Sequence, residues 1–102
     1  MNVDKVYNLV QNIRHLPEIH LGKKSLHLLQ AFLHGYIEYH NEITGESNYF
    51  FLPEFQKYVE QRFNINTTHS WASLITFYSS SDEDAFNNFY KILDEFFSEN
   101  AN

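Results

Sequence analysis

Apolar side chains recur along this chain at the period of a helix, in segments separated by short polar breaks. Val3, Val6, Tyr7, Val10 and Ile13 follow the spacing that lines one helical face. Pro17 ends that segment near Arg14–His15, because the residue before proline leaves the α region, and Gly22 lies in the connection. Ser25 is a plausible cap for a second helix bearing Leu26, Leu29, Phe32, Leu33, Tyr36 and Ile37. Gly35 inside it suggests close approach by a neighbouring element. Residues 41–49 (NEITGESNY) form the longest polar break and read as a loop. Pro53 suits the first turn of a third helix, whose face carries Phe55, Tyr58, Val59 and Phe63.

A second loop spans residues 64–69. Ser70 can cap a short segment carrying Trp71, Leu74, Ile75 and Tyr78. Residues 73–78 are rich in strand-forming types, but one strand without a partner is a poor solution, so a helix is predicted there. Ser80 and Glu83 have capping-box spacing, and Ala85, Phe86, Phe89, Ile92, Leu93 and Phe96 supply a wide stripe for the last helix. The expected fold is all-α: about five helices packed as one domain over residues 1–102, around one aromatic-rich core.

Composition supports a real core. Of 102 residues 43% are apolar, including ten Phe, seven Tyr and one Trp, too many for a disordered tail. A chain of 12.2 kDa should bury roughly two-thirds of its extended-chain surface. The absence of cysteine removes disulfide scaffolds, thiolate metal sites and Cys nucleophiles. The first residues carry an amphipathic pattern where a signal peptide needs a continuous apolar run, and no uncharged apolar stretch is long enough for a membrane span. The expected location is the cytoplasm.

Net charge is −6, with −1 in residues 1–50 and −5 in residues 51–102. Such a surface repels phosphate, which argues against direct nucleic-acid binding, and attracts a basic protein. The six histidines do not form a metal motif. His27 and His34 lie two turns apart, too far to share an ion; His34 and Glu38 are an i, i+4 pair and no more. His15, His20, Lys23 and Lys24 cluster around the first break and would be the acid–base groups of a small hydrolase, but seven basic residues are few for an enzyme acting on a polyanion. No phosphate loop, nucleophile motif or paired-carboxylate motif is present. No catalytic residue, metal or cofactor is therefore assigned.

Two acidic clusters remain as contacts for a partner. Asp82, Glu83 and Asp84 are the most compact; one of them suits a helix N-terminus, and three in a row repel each other. Glu42 and Glu46, flanked by Tyr39 and Tyr49, place carboxylates beside aromatics, as at an interface core with a charged rim. Tyr39, Tyr49 and Tyr78 lie near predicted element ends, where a phenol tolerates a half-wet position.

Two stretches carry a family resemblance. Residues 16–36 (LPEIHLGKKSLHLLQAFLHGY) are similar to a pattern of the form (R)P-x-x-Y-L-G-x-x-S-I-x-x-L-x-x-F-L-x-G-Y, with Leu16 standing where Arg is usual and His20 where Tyr is usual. Residues 69–79 (HSWASLITFYS) and 84–96 (DAFNNFYKILDEF) resemble the second half of the same group. That group is the small immunity proteins of bacterial toxin systems, including contact-dependent inhibition. The resemblance covers about half the chain and rests on cap, turn and core residues. It implies a helical inhibitor that binds a cognate toxin domain one to one, the toxin being a nuclease of RNase type with a basic active site. The alternatives are a helical adaptor for another acceptor and, less favoured, the His-dependent hydrolase.

Overall fold

A computed structural model describes residues 3–100. It contains six helices and, among the described residues, no strand: α1 (Val3–His15), α2 (Pro17–Leu21), α3 (Leu26–Thr44), α4 (Leu52–Arg62), α5 (Trp71–Phe77) and α6 (Asp82–Glu99). The side chain of Val3 lies outside the described residues. The Cα radius of gyration is 13.4 Å, as expected for one globule of this length.

The additional helix is α2. Pro17 does end α1, but it then opens a short helix of its own, since its missing N–H has no intrahelical partner at the first position. Gly22, left-handed at φ 88°, closes α2 by donating its N–H to the Glu18 carbonyl at 2.9 Å. Ser25 and Ser70 cap α3 and α5 as read from the sequence, their hydroxyls accepting the N–H groups of Leu28 and Ser73. Residues 73–77 are helical.

Three readings need correction. The break after α3 begins at Gly45, so Glu42 sits on the helix: polar Asn41–Thr44 continue the α3 backbone, and only a glycine at φ 74° ends it. The cap of α6 is Ser81, whose hydroxyl accepts the Asp84 N–H at 3.0 Å, one residue beyond the predicted capping box. Gly35 has open space where a Cβ would stand, so no neighbouring element explains it.

The core is organised around α6. Phe55 of α4 is fully buried and meets Trp71, Phe89 and Phe96 edge-on at ring distances of 5.5–5.6 Å. Edge-to-face pairs of this kind add about 0.5–1.5 kcal/mol each beyond burial of area. α1 lies antiparallel to α6: Tyr7 meets Phe97, while Arg14 meets Tyr90 and Asp94. The buried Tyr90 hydroxyl donates to the Val10 carbonyl at 2.7 Å, and burial pushes its pKa up. α3 lays Leu26, Leu29, Leu33 and Ile37 against this core and leaves its other face outward.

Candidate protein-binding surface

Two of the three carboxylates at the start of α6, Glu83 and Asp84, are engaged within the fold. Asp84 Oδ2 accepts the Ser80 N–H at 2.9 Å, the Ser80 hydroxyl at 3.1 Å and the Asn88 amide at 3.3 Å. Those bonds, the Ser80 backbone first, hold its carboxyl below the usual range. Glu83 faces Lys24 Nζ at 3.6 Å. Asp82 is exposed in the same first turn, where a negative charge offsets the helix dipole.

Other acids of the second half are similarly occupied. Asp94 holds Arg14 in a two-pronged contact at 3.1 and 3.2 Å, and Glu95 pairs with Arg62. Glu99 accepts the Tyr58 hydroxyl at 2.8 Å, and Glu60 accepts the Gln56 amide at 2.9 Å. Among the described residues, the half of the chain with the larger net charge is therefore the half whose carboxylates have the most partners.

The outward face of α3 is different. Leu28, Ala31, Gly35, Tyr39 and Glu42 are all exposed and follow i, i+3, i+4 spacing, one continuous stripe on the solvent side. His34 and Glu38 border it on one flank and Ile43 on the other. Tyr39 and Ile43 are each 63% exposed. Among the described residues, neither Glu38 nor Glu42 has a side-chain hydrogen bond or ion pair.

Residues 45–51 fold back against the end of α3 through a chain of local bonds. Thr44 Oγ1 donates to the His40 carbonyl at 2.7 Å and accepts the Glu46 N–H at 3.2 Å. His40 Nε2 lies 3.2 Å from Glu46 Oε1. Asn41 Oδ1 accepts the Asn48 N–H at 3.0 Å, and Asn48 Oδ1 accepts the Phe50 N–H at 2.8 Å. Phe50 is left-handed at φ 58°, which costs a non-glycine residue about 1–2 kcal/mol. Its ring packs on His40 at 5.3 Å, which helps hold the strained turn in place. The result is that Tyr49, 57% exposed, stands beside α3.

Between Tyr49 and α3 runs a groove of about 530 Å³. Ile37, Leu52, Pro53 and Trp71 make its mostly apolar floor, while His34, Glu38, Asn41 and Tyr49 supply the polar edge. Four of the seven predicted contacts, Tyr39, Glu42, Glu46 and Tyr49, thus converge on the C-terminal end of α3. Asp82, Glu83 and Asp84 do not join them: the Lys24 contact puts them at the opposite end of α3, a helix length of roughly 28 Å at 1.5 Å per residue.

Of the residues lining the groove, sequence reasoning named only Tyr49 as a contact; Glu38, His34 and Trp71 are among those it did not. A signal for them existed. Residues 25–56 contain no Lys or Arg and four Glu, a local imbalance hidden when charge is counted by halves.

A second exposed aromatic surface lies elsewhere. Phe77 is 79% exposed next to Tyr78, which stacks on Phe63 at 4.4 Å. Its groove, about 460 Å³, is edged by Ile65, His69, Ser73 and Leu74 and has no acidic lining residue. His15 and His20 make no side-chain hydrogen bond among the described residues; His20 packs edge-on against Phe32. No group of three His, Asp or Glu among the described residues is arranged to hold a metal ion. None of the described helices is long and apolar enough to cross a membrane. Comparison with known proteins finds no matching family model, curated protein or solved structure.

Proposed function

We propose that this chain is an inhibitory binding protein: an immunity protein that neutralises a basic toxin domain, a nuclease of RNase type, by covering its active site. The observation that carries this reading is the outward face of α3 with the turn that follows it. There exposed Tyr39, Ile43 and Tyr49 stand among Glu38, Glu42 and Glu46, on a stretch with neither Lys nor Arg. Exposed aromatics are the side chains that most often supply binding hot spots, and the carboxylates around them, of which Glu38 and Glu42 have no ion pair among the described residues, attract a cationic partner. An enzyme that cleaves a polyanion needs a positive cleft, so an acidic protein seated in that cleft competes with substrate for the same charges. The resemblance of residues 16–36, 69–79 and 84–96 to immunity proteins supports the same conclusion from the cap and core positions. Inhibition of this kind needs no cofactor and no catalytic group on the inhibitor.

The test is binding of the purified polypeptide encoded beside this one, scored together with its toxicity. Nanomolar one-to-one capture with toxicity suppressed is expected. Association should slow sharply as ionic strength rises, while dissociation changes little, because screening acts on the encounter more than on the docked state. Capture without loss of toxicity would indicate an adaptor. A salt-independent association rate would rule out electrostatic steering.

A further inference from the structure

We infer that the groove between α3 and Tyr49 is a receptor for an arginine side chain presented by the protein partner. This deepens the reading above and rests on it for the partner's existence. The groove combines the exposed rings of Tyr49 and His34, over a nearly buried base of Trp71, Leu52 and Ile37, with a Glu38 carboxylate that has no partner among the described residues. Charge complementarity selects a cation: no Lys or Arg occurs from residue 25 to residue 56, so nothing on this segment neutralises Glu38. Shape and hydration select guanidinium over ammonium. A guanidinium is planar, stacks on rings, forks onto a carboxylate and sheds water more readily than an ammonium. The volume of about 530 Å³ is within the range of ligand sites, about 300–1,000 Å³, and admits an arginine together with the backbone that carries it.

The fold already uses this chemistry once. Arg14 lies over the Tyr90 ring at 5.0 Å from its centroid and forks onto Asp94. Tyr90 and Asp94 are an aromatic ring and a carboxylate at i, i+4 on α6. His34 and Glu38 repeat that order and spacing on α3, imidazole first and carboxylate one turn later, but open into the groove. In α6 the pair binds an arginine from the protein's own α1; in α3 the pair faces outward.

Trp71 is the chain's single tryptophan and lies on the groove floor, so its fluorescence reports occupancy. The probes are N-acetyl-arginine amide, the lysine equivalent, and N-acetyl-citrulline amide, which keeps the shape without the charge. The arginine compound should change Trp71 emission saturably in the millimolar range and more tightly than the lysine compound, while citrulline gives no saturable change. Glu38→Gln should weaken the arginine response about tenfold, the loss of one charge-assisted contact, with the melting temperature unmoved. An equal response to citrulline or lysine, no response to arginine, or a response indifferent to Glu38→Gln each overturns the assignment. These readouts need no partner. A toxin domain captured while the groove stays silent refutes the arginine receptor alone; a responsive groove with no toxin captured refutes the inhibitor reading alone.

Discussion

At the start of α6, Asp84 accepts three hydrogen bonds and Glu83 faces Lys24, whereas at the far end of α3 Glu38 and Glu42, near Tyr39 and Tyr49, are exposed and have no ion pair among the described residues. The two regions look alike as sequence, each a few carboxylates within one or two turns. They differ in what surrounds them. A helix N-terminus presents unsatisfied N–H groups and a positive dipole end, so acids placed there find partners locally. Acids in the second half of α3 have no such local partners, and the nearest Lys or Arg residues in sequence are Lys24 and Lys57. Local acidity is therefore evidence for recognition only after capping and ion pairing have been accounted for.

Substitutions can separate the two regions. The largest effect is expected from the double variant Glu38→Lys, Glu42→Lys: affinity for the partner should fall at least 100-fold, or about 2.7 kcal/mol, with thermal stability close to the parent's. A double reversal that leaves affinity intact would show that the α3 face is not the contact. Ser81→Ala should behave in the opposite way. Losing the cap of α6 costs about 1 kcal/mol, so the melting temperature should drop by about 4–8 °C while affinity stays unchanged. Weakened binding from that variant alone would return the residue 82–84 cluster to the interface.

A smaller effect sharpens the map of the α3 stripe. Gly35→Ala should stabilise the protein by about 0.5–1 kcal/mol, since the new methyl meets nothing within 4 Å and the helix gains propensity. In the same variant, affinity should fall severalfold, because residue 35 lies in the middle of the outward stripe. A gain in stability without loss of affinity moves the contact toward the groove side.

The smallest effect is a pH dependence. Asp84 has its folded pKa lowered from 3.8, so the stability it contributes is present above that value and is lost as pH falls through the folded pKa. Thermal melts of parent and Asp84→Asn should therefore differ near neutrality and converge in acid. A constant difference at all pH would mean that the carboxylate's charge is not what the Ser80 and Asn88 donors select.

Much of the fold was legible because it depends on neighbours in sequence. Ser25 and Ser70 cap where they stand, Pro53 lies in a first turn, and the stripes of α1, α3 and α6 bury the faces their spacing marks. Apart from Gly35, where the expected neighbouring element is absent, the misreadings were also local, and each was decided by one backbone position. Gly45 rather than the polar run set the end of α3, Ser81 rather than Ser80 capped α6, and Pro17 began a helix as well as ending one. The candidate surface was half legible. Tyr39, Glu42, Glu46 and Tyr49 follow one another in the chain and could be read as a unit. Trp71 could not, because it reaches the groove from α5 only through packing against α3 and α4.

The sequence alone determined the class of fold and the acidity of the chain, since helical period, capping residues and charge are properties of short segments. Tertiary structure decided which acids are available. Arg14 reaches Asp94, Arg62 reaches Glu95 and Lys24 reaches Glu83 only once helices far apart in sequence are packed together. The long-range contacts that build the core also remove the cations near the second-half acids from use. Among the described residues, they leave Glu38 and Glu42 without an ion pair.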